Sequence, residues 1–100
     1  VTYELPAEPF TTLDHEAKLA ELEKISRALY AAHRELPEVK DQLAYYYFEA
    51  WKNSAATSVS GRDREAEGAT RAIKKDELDL FAQIDSLSTI RDFLVTLIGK

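Results

Sequence analysis

Between Leu22 and Ala50 the apolar residues fall at Leu22, Ile25, Leu29, Ala32, Leu36, Val39, Leu43, Tyr46 and Ala50, in steps that alternate between three and four. This is a heptad seam, a single apolar stripe along one helix, and such a stripe has to be buried against another helix. Pro37 lies inside it. A proline there deletes one backbone hydrogen bond and crowds the preceding turn, so a kink is expected. Yet the seam keeps its phase across Pro37, and no Gly, Ser, Thr, Asp or Asn stands at 34–36 to end one helix and cap another. One long, bent arm is favoured; the alternative is a fold-back at Pro37 that gives a three-helix monomer.

Thr11 or Thr12 can cap the start of this arm, with Asp14 and Glu16 in its first turn. The convincing break comes at Thr57-Ser58-Val59-Ser60-Gly61, where Ser60 can cap a second helix and Asp63 can complete a capping box. The second arm then runs from about Arg62 to Ile98 and ends at Gly99. Closing the chain at 57–61 pairs the arms in mirror order. Leu22 faces Leu97, Ile25 faces Leu94, Leu29 faces Ile90 and Ala32 faces Leu87; nearer the turn, Val39 faces Leu80, Tyr46 faces Ile73 and Ala50 faces Ala69. Leu36 opposite Gln83 and Leu43 opposite Asp76 are the mismatches, relieved if Ile84 and Glu77 or Leu80 turn inward. At 1.5 Å per residue the arms reach about 65 Å and about 55 Å. The expected fold is all-α, a long antiparallel helical hairpin over 12–100 with its first arm kinked at Pro37.

Pro6 and Pro9 bias residues 1–11 toward an extended N-terminal arm. Either the arm is a frayed terminus, or it packs Tyr3, Leu5 and Phe10 against a partner. Two helices alone leave other apolar residues over: Tyr45, Phe48 and Trp51 lie off the first seam, and Leu78, Phe81, Phe93 and Val95 off the second. A homodimer, two hairpins closing into a four-helix bundle, buries such residues, with Phe48, Trp51, Leu78 and Phe81 as the contact set. A different partner protein is the other way to cover them.

With 3 Gly and 3 Pro in 100 residues an all-β fold lacks its turns, and the absence of Cys removes disulfides, thiolate zinc sites and cysteine nucleophiles. No 18-residue apolar run spans a membrane and no signal-peptide pattern opens the sequence, so a cytoplasmic setting is expected. His15 and His33 lack the Glu-x-x-His partners of a four-helix metal site, since Thr12 and Tyr30 stand three residues before them. There is no Gly-rich phosphate loop and no nucleophile elbow. No enzymatic activity, metal or cofactor is expected.

The formal charge of −5 is unevenly spread. Residues 51–75 hold six basic residues (Lys52, Arg62, Arg64, Arg71, Lys74, Lys75) against three acidic ones, while the flanking segments are acidic. Ser60, Arg62 and Arg64 at the N-terminus of the second helix, with Lys52 and Arg71 in the same basic segment, outline an anion or nucleic-acid contact, with Trp51 offering a stacking face to a base or a guanidinium. The simpler reading pairs Arg62 and Arg64 with Asp63, Glu65 and Glu67 as a solvated face, and the acidic flanks oppose nonspecific nucleic-acid binding.

Trp51-Lys52, then Thr57-Ser58-Val59-Ser60-Gly61-Arg62-Asp63-Arg64-Glu65-Ala66, and Ile90-Arg91-Asp92-Phe93-Leu94 near the end, resemble small helical proteins encoded by actinobacterial phages and prophages. The resemblance covers about residues 40–98, leaves out the arm, and implies a phage context in an infected or lysogenic bacterial host rather than a mechanism. The expected role is a non-catalytic interaction or assembly protein, in the host cytoplasm or in the virion. A nucleic-acid-contacting accessory protein and an inhibitor of a host enzyme are the alternatives.

Overall fold

The structure, a computed structural model, describes residues 3–99, so residues 1–2 of the expected arm and residue 100 lie outside the described residues. Among the described residues all regular structure is helical: a short 3-10 turn at Phe10–Thr12, then α1 (His15–Lys52), α2 (Val59–Ala69) and α3 (Arg71–Ile98). The chain divides into two compact units. Unit one takes residues 1–34 with 82–100, and unit two takes residues 35–81.

Helix α1 starts later than the threonines suggest. Pro9 closes the 3-10 turn by accepting from the Thr12 amide at 3.0 Å and the Thr12 hydroxyl at 2.7 Å, which occupies that side chain. Leu13 is extended, and Asp14 caps α1 by accepting from the Ala17 amide at 2.7 Å. Pro37 sits inside α1, which does not end there, so the fold-back at Pro37 is not adopted.

The second arm departs from expectation. It is two helices, because α2 stops at Ala69 and α3 begins at Arg71. Thr70 between them has φ −107° and ψ 10°, and its hydroxyl donates back to the Ala66 carbonyl at 2.8 Å. Such back-bonding by a threonine competes with the helix ladder. The ladder nonetheless bridges the joint, with Thr70 N–H donating to Ala66 and Lys74 N–H to Thr70.

In unit one Ile25, Ala28 and Leu29 of α1 bury against Leu87 and Leu94 of α3, with Leu22, Ile84 and Ile90 packed around them. Ile25 and Leu94, expected to face each other, are fully buried in this one cluster. The arm supplies a third element: Tyr3 and Phe10 pack on the same core, and the Phe10 ring lies 6.4 Å from that of Phe93. Tyr3 donates to the buried Glu21 carboxylate at 2.7 Å. Burial first, then that hydrogen bond and the Glu21 charge, raise the Tyr3 pKa. In unit two Tyr46, Ala50, Ala69 and Ile73 line one open groove of about 420 Å³. Glu77 turns inward and is buried with Leu80, its carboxylate 2.7 Å from Lys74, while Asp76 stays exposed.

Leu94→Ala is expected to cost about 2–5 kcal/mol in denaturant titration, because it empties a filled site. Gly68→Ala is expected to gain roughly 0.5–1 kcal/mol, since a Cβ there meets nothing within 4 Å. Stability should also respond to alkali. Tyr3 holds its proton more tightly folded than unfolded, so its contribution is complete below its ordinary pKa of 10.0 and fades as pH rises toward the raised value. Unfolding curves recorded above pH 10 should therefore fall less steeply with pH for Tyr3→Phe than for the parent chain.

Candidate functional site

Unit two contains the turn and most of the side chains that the sequence singles out. Helix α1 ends with Trp51 and Lys52, and the Asn53 and Ser54 amides still donate back to Glu49 and Trp51. Ser58, not Ser60, caps α2. Its hydroxyl accepts from the Gly61 amide at 3.0 Å, so the helix begins at Val59 and the cap stands two residues earlier than the sequence suggested. Gly61 is required by contact rather than by backbone angle: a Cβ there would lie 2.9 Å from the Ser58 hydroxyl and 3.0 Å from the Ala56 methyl. Asp63 completes no capping box. It accepts instead from the Tyr47 phenol at 3.0 Å, tying α2 to α1. The Tyr47 pKa is raised, by that hydrogen bond first, then by burial and the charges of Asp63 and Glu67.

Arg62 fastens the turn. Its Nε donates to the Ala56 carbonyl at 3.2 Å and a terminal nitrogen donates to the Trp51 carbonyl at 3.1 Å. The guanidinium carbon sits 5.1 Å from the Trp51 ring centroid, a cation–π contact. One side chain thus satisfies a carbonyl at the C-terminus of α1, holds the loop and covers the indole. The Trp51 face expected to receive a base or a guanidinium receives the chain's own guanidinium, and both side chains are half-buried. Of the other basic-turn candidates, Lys52, Ser60, Arg64 and Arg71 are exposed.

The apolar candidates separate in the same way. Phe48 is 62% exposed, Leu78 55% and Phe81 42%, all within unit two, whereas Trp51 is occupied. The Phe81 ring carries the Lys40 ammonium 5.3 Å from its centroid. Of the arm residues, Tyr3 and Phe10 belong to the unit-one core and Leu5 is 67% exposed. His15 and His33 are exposed. The sequence-based contact set omitted Tyr45, 63% exposed, although its spacing of three from Phe48 puts both on one helix face.

Among the described residues no group of three or more His, Asp or Glu side chains is placed to hold a metal ion, and no helix is long and apolar enough to cross a membrane. No protein-family model, curated protein or solved structure matches this chain.

The clamp gives a measurable expectation. Arg62→Met keeps the apolar stem but removes both hydrogen bonds and the cation, and should destabilise the chain by about 1–3 kcal/mol. It should also redshift Trp51 fluorescence as the indole gains water. Gly61→Ala should cost about 1 kcal/mol through the displaced Ser58 cap. A Trp51 spectrum unmoved by Arg62→Met would count against the stacked geometry.

Proposed function

We propose that this chain is a non-catalytic interaction or assembly protein, phage-encoded as the resemblance of its turn implies, which folds as a helical hairpin and works by self-association and protein–protein contact. One observation carries the reading. Unit two buries Ala66, Thr70, Glu77 and Leu80, of which Leu80 alone is a large aliphatic, while Tyr45, Phe48, Leu78 and Phe81 stand exposed. So small an apolar core stabilises little by itself, and each large side chain removed from water adds about 1.5–3 kcal/mol. Unit one differs because the arm lends it Tyr3 and Phe10.

A second hairpin is the economical cover. Two-fold pairing buries the same patch twice and turns two-helix layers into a four-helix bundle. The nucleic-acid reading draws less support, because Arg62, the most central of the basic residues at the turn, already spends its donors on Ala56 and Trp51. Lys74 and Lys75 are likewise engaged by Glu77 and Asp79.

Light scattering at tens of micromolar tests the proposal. The expected mass lies above the 11.3 kDa of one chain and rises toward twice that value as concentration increases. Phe81→Asp should return the mass to that of one chain with the helical circular dichroism kept. A parent chain of single mass that captures no protein from its source cell would refute the reading. A mobility shift of duplex or single-stranded DNA, abolished by charge reversal at Arg64 and Arg71, would favour the nucleic-acid alternative.

A further inference from the structure

On α1, Asp41, Tyr45, Phe48 and Lys52 follow one another in steps of four, three and four. All four are exposed, all lie in unit two, and the spacing places them on one stripe of the helix, away from the half-buried Leu36, Val39, Leu43 and Ala50. The stripe has an acid at its N-terminal end, a base at its C-terminal end and two aromatic rings between. Among the described residues neither Asp41 nor Lys52 has an ion-pair partner, although Glu21, Glu23, Glu77, Asp79 and Asp92 all do.

Reversed end for end, this stripe complements itself. A two-fold axis passing between positions 46 and 47 brings Asp41 against Lys52 of a second copy and Tyr45 against its Phe48, each contact made twice. The steps of four, three and four are those of a coiled-coil seam, and antiparallel pairing of such seams sets the first position of one heptad against the fourth of the other. Aromatic rings at the centre with opposite charges at the ends is also the arrangement of a specific interface, where apolar contact supplies affinity and the rim fixes register.

We infer that this outer stripe of α1 is a homodimer contact, in which two copies of the chain cross antiparallel about that axis. The inference rests on the self-association proposed above and gives it a contact on α1 that does not include Leu78 or Phe81 of α3: the partner is a second copy, the register is fixed by two Asp41–Lys52 pairs, and Tyr45 joins Phe48 at the centre. The stripe is short, so the dimer should be weak, with dissociation in the range of tens of micromolar.

Sedimentation of the full chain provides the test. Asp41→Lys puts two like-charge pairs into the contact and should weaken dimerisation at least about tenfold. Lys52→Asp should do the same, and the double exchange Asp41→Lys with Lys52→Asp should recover to within about threefold of the parent. A cross-linking experiment checks register without relying on charge. Chains carrying Asp41→Cys should form a disulfide with chains carrying Lys52→Cys when mixed, whereas either alone should not, because equivalent positions are about 16 Å apart along the helix. A parent dimer indifferent to both charge reversals, and yielding no mixed disulfide, overturns this register while leaving self-association through Phe81 standing. A monomeric parent overturns both. Recovery by the double exchange together with the mixed disulfide establishes the contact.

Discussion

The indole of Trp51 and the guanidinium of Arg62 form the contact that ties the end of α1 to the first turn of α2. A long helix that ends in water leaves its last carbonyls unpaired, and a loop of few residues must then deliver a second helix in a set direction. Arg62 bridges the turn from one side chain, donating to the Trp51 carbonyl, which also accepts from the Ser54 amide, and to that of Ala56 while its cation lies over the ring. Gly61 and Ser58 make this approach workable. The missing Cβ at Gly61 leaves room for the Ser58 hydroxyl to cap α2, and the cap fixes the helix start one turn before Arg62 reaches back. Tyr47 and Asp63 add a second tie between α1 and α2. Of the basic residues that read as a ligand site in sequence, Arg62 is part of the fold's own fastening, while Lys52, Arg64 and Arg71 are exposed.

How much of this could be read beforehand depended on which force set each feature. The periodic apolar seam announced the helices, and Ile25, Leu29, Leu87 and Leu94 are buried in unit one because burial follows the pattern that a 3.6-residue period imposes. Caps were harder. Asp14, Thr12, Ser58 and Ser60 are all competent capping types, and the choice among them came from the 3-10 turn at Pro9 and from Gly61's missing side chain, neither of which periodicity records. The joint at Thr70 carries no proline, and Gly68, two residues before it, sits inside α2. Its signal is a hydroxyl bonding back to Ala66, visible only once the helix is built.

The candidate site shows a like division. Exposure of Phe48, Leu78 and Phe81 was legible because each falls off its seam, and Tyr45 was passed over although it satisfies the same criterion. Trp51 and Arg62 were legible as neighbours but not as partners, because the eleven-residue separation hides a contact that only the turn creates. For Tyr3 and Phe10 the sequence leaves a frayed terminus and a surface for a partner both open, and the structure packs them on the core of unit one. Large apolar residues in a terminal segment demand cover, and sequence does not say whether the cover is the same chain or another.

Closure distinguishes useful self-association from uncontrolled aggregation. An exposed aromatic patch that fits some other part of the same surface would bind head to tail, and each bound copy would present the patch again, so growth would not stop. A stripe related to itself by a two-fold axis is consumed when it binds. Asp41 and Lys52 matter for this reason more than for their energy: exposed pairs contribute little to affinity, about 0.2–1 kcal/mol each. Parallel alignment of two copies would set acid beside acid and base beside base, so the ends of the stripe reject that orientation and accept the reversed one. In the proposed dimer Tyr45 and Phe48 supply attraction without direction, and the two charges supply the direction. Attraction alone would leave Tyr45 and Phe48 open to any apolar surface that passed.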